Sequence, residues 1–477
     1  TKIGRFPGVP SMTYVSRVVA SRHNEATVYA TFDGHRSNDF KPYVLKSTDY
    51  GKTWRSIASK LPMSSVQVIR EHPRMPSLLF VGNEIGAWYS GNSGRSWTRL
   101  QYNLPTVPVH DIRIHASEND LVIGTHGRGI YIIDDITPLE RIAEADRIDR
   151  LYLFPVKPAT VFNYNTSIPG GARGAGSLGE RSFSAPNPPF GATLTYYLKD
   201  SVPKGRTLTL AIYDSASKLV RDLTVNTKSG MHRATWDLRL PPPYINPRAQ
   251  GERGQPRGAF VLPGRYAARL SLAGNDTVAR DSLPVTRSDR QSNPQRNPLM
   301  STSVETPITV NADPLVPLSA AEYHTLWEMR VRSGAQQGKV QAVVRTAELL
   351  KDQMTEVKAA LKSSAAPDSL TKQTEAIDKE VDDILTKVRG RQGPGASGVD
   401  DKKFAPSIQD RVNQIGGEIG DVTSPPTQIQ RETLELAMKD LERDAARLNA
   451  LLTTRVPALN RALDATGVPW TAGRTVR

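Results

Sequence analysis

The chain has 477 residues, a formal net charge of +14 and no cysteine. Disulfides, zinc–thiolate centres and thiol nucleophiles are therefore excluded within it. No apolar run approaches the roughly 20 residues of a membrane-spanning helix. The basic residues are scattered and no basic helix carries interleaved aromatics, so the charge speaks to solubility and non-specific contact rather than to nucleic-acid recognition. No spacing of His, Asp and Glu matches a metal site, and no cofactor is expected. The length calls for about three domains.

In chain order, alternating and β-branched segments at 16–20, 26–32 and 43–46 predict three strands, the last running into Ser-Thr-Asp-Tyr-Gly-Lys-Thr-Trp over 47–54. The sequence then repeats itself. Strands at 66–70, 78–82 and 87–89 lead into Ser-Gly-Asn-Ser-Gly-Arg-Ser-Trp over 90–97. Both octapeptides fit S-x-(D/N)-x-G-x-(S/T)-W and lie 43 residues apart; Leu61-Pro62 and Leu104-Pro105 follow them at the same spacing. A third cycle, at 109–114, 121–124 and 130–133, carries no such motif. A self-similar unit of this length made of short strands is the signature of a propeller blade.

Each position of the motif has a structural task. Asp49 and Asn92 can bond backbone N–H groups further along the turn, Gly51 and Gly94 supply a positive φ, and Ser47, Thr53, Ser90 and Ser96 add side-chain bonds. Trp54 and Trp97 bury their rings under the hairpin. These ten residues are read as structural. Residues 1–137 are thus expected to be the last two to three blades of a propeller. Closure takes four to eight blades, so the missing ones are expected from an upstream segment or a separate chain.

Residues 138–190 read as a linker or strap, with a helix start at 136–141 and a Gly-rich stretch at 170–176 that lacks the strand and helix of a phosphate loop. About seven short alternating segments over 191–287 suggest an immunoglobulin-like β-sandwich with Trp236 as its core plug. Residues 288–318 read as a second linker. Helical spacing then predicts helices near 319–363, 368–389, 404–416 and 427–463, a helical bundle over 319–465 with a mobile loop at 390–403 and a tail at 466–477. Ser319 with Glu322 three residues on is a capping-box pattern.

Two clusters carry candidate chemistry. Thr125-His126-Gly127-Arg128-Gly129 could grip a carboxylate or phosphate through His126 and Arg128. The competing reading is a tight strand connection, with Arg128 paired to Asp134 or Asp135. Thr31-Phe32-Asp33-Gly34-His35-Arg36 poses the same choice for His35 and Arg36. Glycoside cleavage needs two carboxylates at a defined separation. Asp33, Glu84, Asp111 and Asp134 are available, Asp33 and Asp111 being the candidate acids, but nothing in the sequence pairs any two. Nor can an arginine triad of the kind a sialidase needs be assigned.

The octapeptide resembles the Asp-box, or bacterial neuraminidase, repeat of sialidases, sortilin-like receptors and xyloglucan-degrading propellers. Together with V-Y-A-T-F-D-G-H-R, F-V-G-N-E-x-G and L-V-I-G-T-H-G-R-G-I, it makes residues 12–137 resemble the last propeller segment of large bacterial sortilin-like exoproteins, often labelled glycosyl hydrolases on fold alone. The resemblance implies boxes at the blade periphery, away from any catalytic centre, and a secreted or periplasmic location. The segment around Gly230, His232, Trp236 and Tyr266 is similar to Ig-like modules of flagellar hook-capping and secretion-associated proteins. The expected architecture is multidomain and mainly β: a partial β-propeller, an immunoglobulin-like sandwich and a C-terminal α-helical bundle. The expected function is a non-catalytic scaffold for protein association. The alternatives are the accessory portion of a carbohydrate-active hydrolase, and a subunit of a larger membrane-associated assembly.

Overall fold

The computed structural model describes residues 5–101, 103–142, 150–162, 188–247, 249, 254–273, 302–391, 405–420 and 422–474. It is mainly β, with several separate sheets followed by a C-terminal helical region. The Gly-rich stretch at 170–176, most of the loop at 390–403 and the end of the tail fall outside these residues.

The first sheet is an antiparallel meander of β1 (Tyr14–Ala20), β2 (Val28–Gly34), β3 (Asp39–Ser47) and β4 (Arg55–Ser56). The second repeats it with β5 (Val66–Glu71), β6 (Leu79–Asn83), β7 (Gly86–Ser90) and β8 (Thr98–Arg99). The third has only β9 (Val109–Ile114), β10 (Leu121–Thr125) and β11 (Ile130–Ile133). They stack face to face as blades do. Tyr29, Val44, Ile69, Val81 and Trp97 fill the space between the first two. Val68, Phe80, Val109, Ile112 and Ile123 fill the next. Strands covered on both faces lose the half-polar alternation of an exposed sheet, which is why every residue of β6 is buried. On the outer side of the first blade, Phe6 sets its ring edge-on to Phe32 and Trp54, with centroids at 4.7 and 5.2 Å.

The two motifs form the turns β3–β4 and β7–β8. In the first, Ser47 Oγ donates to Asp49 Oδ1 at 2.7 Å and accepts from the Gly51 N–H at 2.9 Å. Asp49 accepts the Thr53 hydroxyl and N–H at 2.6 and 2.9 Å. Those bonds, the Thr53 hydroxyl foremost, lower the Asp49 pKa to about 2. Ser90, Asn92, Gly94 and Ser96 repeat the pattern, with an amide in place of the carboxylate. Gly51 and Gly94 both take a positive φ, 83° and 84°.

A helical turn, α1 (Thr137–Glu140), follows the third blade, and Leu139 buries into the core between blades two and three. Two further sheets then share one core. One runs β12 (Leu151–Leu153), β14 (Ala192–Leu198), β17 (Gly230–Trp236); the other runs β13 (Ala159–Val161), β19 (Thr302–Ala312), β18 (Gly264–Ala273), β15 (Thr207–Asp214), β16 (Leu219–Leu223). Trp236 is fully buried between them and its indole N–H donates to the Arg239 carbonyl at 3.1 Å. Strands β12 and β13 fall in the 138–190 stretch and β19 in 288–318, both of which read from sequence as connections. β13 pairs with β19 in parallel across some 150 residues of sequence, so neither segment announces its partner locally.

The helical region comprises α2 (Ala320–Lys362), α3 (Asp368–Arg389), α4 (Ile408–Gly420), α5 (Gln428–Ala450) and α6 (Val456–Ala465). Ser319 and Glu322 form the expected capping box, and Thr427 with Gln430 forms a second at the start of α5. The predicted helix at 427–463 is interrupted. A π-helical turn, Leu451–Arg455, joins α5 to α6, where Pro457 brings no N–H to the helical ladder.

Candidate functional site

Strands of a meander alternate in direction, so the turns β2–β3, β6–β7 and β10–β11 share one edge of the blades while the two Asp-box turns lie on the other. The first strand of each blade carries a bulge near the edge opposite the boxes. Its extra residue is Ser16 in β1, Gln67 in β5 and His110 in β9, where the register slips between Val15 and Arg17, Val66 and Val68, and Val109 and Asp111. A bulge re-aims the side chain it carries. Here each points to a neighbouring element: Ser16 Oγ donates to the Val66 carbonyl at 2.7 Å, and the His110 ring tilts against His126 with centroids 5.0 Å apart.

Gln67 makes the most informative link. Its side-chain nitrogen donates to Asp33 Oδ2 at 3.0 Å and to Glu84 Oε1 at 2.7 Å. The two carboxylate oxygens are therefore no more than about 5.7 Å apart. Asp33 is buried, and the His35 ring bonds it at 2.6 Å. Burial alone would raise the Asp33 pKa, but the His35 N–H, Gln67 and the His35 ring outweigh it and hold the group below the usual carboxylate range.

A second cluster ties the three blades together nearer their middle. Asp111 Oδ1 accepts from Arg17 at 3.2 Å and Arg70 at 3.1 Å, while Oδ2 accepts from Arg113 at 3.1 Å. Arg70 also donates to the Ile112 carbonyl at 2.7 Å. Desolvation would raise the Asp111 pKa, but Arg17, Arg113 and Arg70 together lower it. An arginine triad does exist, then, and it is centred on a carboxylate of the chain itself.

Of the sequence candidates, Asp33 and His35 meet directly, and Asp33 meets Glu84 through Gln67. Asp111 joins the arginines instead. The His126 ring packs against His110, and Arg36 and Arg128 are exposed on the loop edge. The Thr125–Gly129 segment is a tight connection, with the Thr125 hydroxyl donating to the Gly129 carbonyl at 2.6 Å. The expected pairing of Arg128 with Asp134 or Asp135 is not formed. Arg233 of β17 takes that place, donating to both backbone carbonyls at 2.8 Å. Asp134 stands apart from the carboxylate pair, its pKa raised by burial and by Asp120. A buried His72, bonded to Asn119 at 2.9 Å and 3.3 Å from Glu140, staples blade two to blade three.

The sequence reading passed over Gln67, Arg17, Arg70 and Arg113. A signal for three of them was present: Arg70 and Arg113 lie 43 residues apart, as do Gln67 and His110, which is the spacing of the repeat itself.

No protein-family model matches the chain, and no curated protein does. Solved structures do. One is an ancestral GH74 enzyme, 21% identical over 24% of this chain and 14% of that one, with a TM-score of 0.21. Another is the GH74 xyloglucanase from Xanthomonas campestris, 12% identical over 55% of this chain and 37% of that one, with a TM-score of 0.22. The chain thus spans well under half the length of either. Among the described residues no helix is long and apolar enough to cross a membrane, and no cluster of His, Asp and Glu could hold a metal ion.

Proposed function

We propose that the three blades are the closing arc of a larger Asp-box propeller in an exported protein, and that the chain acts as a non-catalytic scaffold for protein association. The observation carrying this reading is the state of the arc's last strand. Blades one and two end in a short fourth strand, β4 or β8, whereas the outer edge of β11 pairs with no strand among the described residues, and Ile130 and Ile132 are 72% and 59% exposed. At the arc's other end Tyr14 and Val18 are 63% and 61% exposed. An open edge strand with outward isoleucines is a template for pairing with another segment. The chain should therefore associate with rising concentration in sedimentation velocity runs. Joint Ile130→Lys and Ile132→Lys substitution should return it to a monomer without moving its unfolding midpoint. A wild-type chain that is monomeric throughout, or association that survives both lysines, would overturn the reading.

A second reading, the accessory part of a carbohydrate-active hydrolase, is favoured by the Asp33–Gln67–Glu84 bridge. A separation of about 5–5.5 Å is that of the two carboxyl groups in retaining glycosidases. The lowered pKa of Asp33 suits the nucleophile of such a pair, which leaves Glu84 as the acid/base. On this reading, turnover of a β-glucan or sialoside panel should fall at least 1000-fold in Asp33→Asn and in Glu84→Gln. Turnover unchanged in both would remove these carboxylates from consideration.

A further inference from the structure

Away from the blades, a cleft of about 570 Å³ opens between the two-sheet unit and the helices. Its volume falls in the range of small-molecule sites, about 300–1,000 Å³. The walls are apolar, with Leu240 and Phe260 from the sheet side and Val331 and Ile419 from α2 and α4. A second cleft of about 320 Å³ adjoins it and shares Trp327, Asp214, Val220 and Leu240.

Two polar groups in this wall lack partners among the described residues. Ser333 is 1% exposed and its hydroxyl makes no hydrogen bond to them; the indole N–H of Trp327 is likewise buried without an acceptor among them. A buried donor left unmade bears the full desolvation cost of its polar group, so two in one cleft favour a ligand that supplies an acceptor. The charge around them has one dominant sign. Lys218, Arg239, Arg257 and Arg330 line the cleft against a single acid, Asp214. Asp214 turns its Oδ1 into its own loop, accepting the N–H groups of Ala216 and Lys218 at 2.9 Å each. Arg239 is stacked on Phe260, 3.6 Å from the ring centroid, and donates to the Gly258 carbonyl. Arg330 is fixed by the carbonyls of Ile419 and Val422 at 2.8 and 2.9 Å. Held guanidiniums beside an aromatic wall favour a ligand with a flat apolar body and an acidic head.

We infer that this cleft binds a small organic monoanion, an aromatic or alicyclic carboxylate or sulfonate, with the acid facing the cationic rim and the body against Phe260 and Trp327. The site is independent of the blades and of the function proposed for them.

The probe is 8-anilinonaphthalene-1-sulfonate, compared with N-phenyl-1-naphthylamine, which has the same ring body and no sulfonate. Both are titrated by fluorescence into the full chain. The sulfonate should bind saturably at one site, at least tenfold more tightly than the neutral compound. Lys218→Glu with Arg257→Glu, both at exposed positions, should weaken the sulfonate at least tenfold and leave the neutral compound unchanged. Trp327→Phe should weaken the sulfonate several-fold by removing the N–H donor. Val331→Trp, which fills the cleft, should abolish saturable binding of both. Equal affinity for the two probes, or sulfonate binding that ignores the rim charges and the filled cleft, would overturn the inference.

Discussion

Trp97→Ala should destabilise the blades by about 3–5 kcal/mol, while the same change at Trp54 should cost about 1–2 kcal/mol. The two tryptophans occupy the same position of one repeated motif, so a local reading gives them equal weight. Packing does not. Trp97 is 7% exposed within the core between blades one and two, and its indole N–H donates to the Ile57 carbonyl of the preceding blade at 2.8 Å. Trp54 is only half-buried and bonds the Gly51 carbonyl of its own turn at 3.0 Å. Removing Trp97 opens a cavity between blades and strips a carbonyl of its partner. Removing Trp54 loosens one hairpin and the edge contact to Phe6. Trp97→Phe should recover most of the packing and lose about 1 kcal/mol for the hydrogen bond. Urea unfolding, followed by far-UV circular dichroism, reads all three. Equal losses at the two sites would mean that the boxes act only within their own hairpins.

That contrast marks how far the sequence could be read. The Asp-box turns were legible because the side-chain bonds of their Ser, Asp and Thr positions span four residues or fewer, so residue type and spacing determine the geometry. The three longer strands of each blade were legible through β-branched content and alternation, though the two-residue β4 and β8 were not, and the long helices were legible through their apolar stripe and the Ser319–Glu322 box. The candidate site was not, because its contacts are long-range. Arg17 and Asp111 are 94 residues apart, Gln67 is 34 from Asp33, and Arg233 is 99 from Asp134. The bulges at Ser16, Gln67 and His110 leave no distinctive residue behind, yet they decide which side chains leave the strand face. His35 shows the intermediate case: it lies two residues from Asp33, and the sequence could place the pair on one loop without giving the third member, Gln67. Strands β12 and β13 stayed hidden because three residues carry too little alternation to stand out from a Pro-rich connection.

Gly82→Ala should be among the most damaging single-methyl additions in the chain, at about 3 kcal/mol or more. The glycine is not needed for an unusual φ; it is needed for space. A Cβ there would stand 2.5 Å from Val109 Cγ1, 2.7 Å from the Val109 carbonyl oxygen and 2.8 Å from Val68 Cγ1. A side chain can rotate away, but the Val109 carbonyl belongs to β9, whose register sets Asp111 among Arg17 and Arg70. To admit the methyl, blade three must move off blade two. That shift would strain the Phe80–Ile112 core as well as the arginine cluster. Val109→Ala in the same chain removes the first clash and leaves the other two, so it should restore only part of the loss, giving a coupling energy of about 1–2 kcal/mol in the double-mutant cycle. Gly127→Ala is the control. It lies at φ 78° with no atom within 4 Å of the added carbon, so its cost should stay at about 1–2 kcal/mol, the backbone penalty alone. Unfolding free energies for the four variants decide the matter. A Gly82→Ala loss no larger than that of Gly127→Ala would mean that the blades are not held together at this point, and that the arginine–aspartate cluster rather than close packing keeps the arc in register.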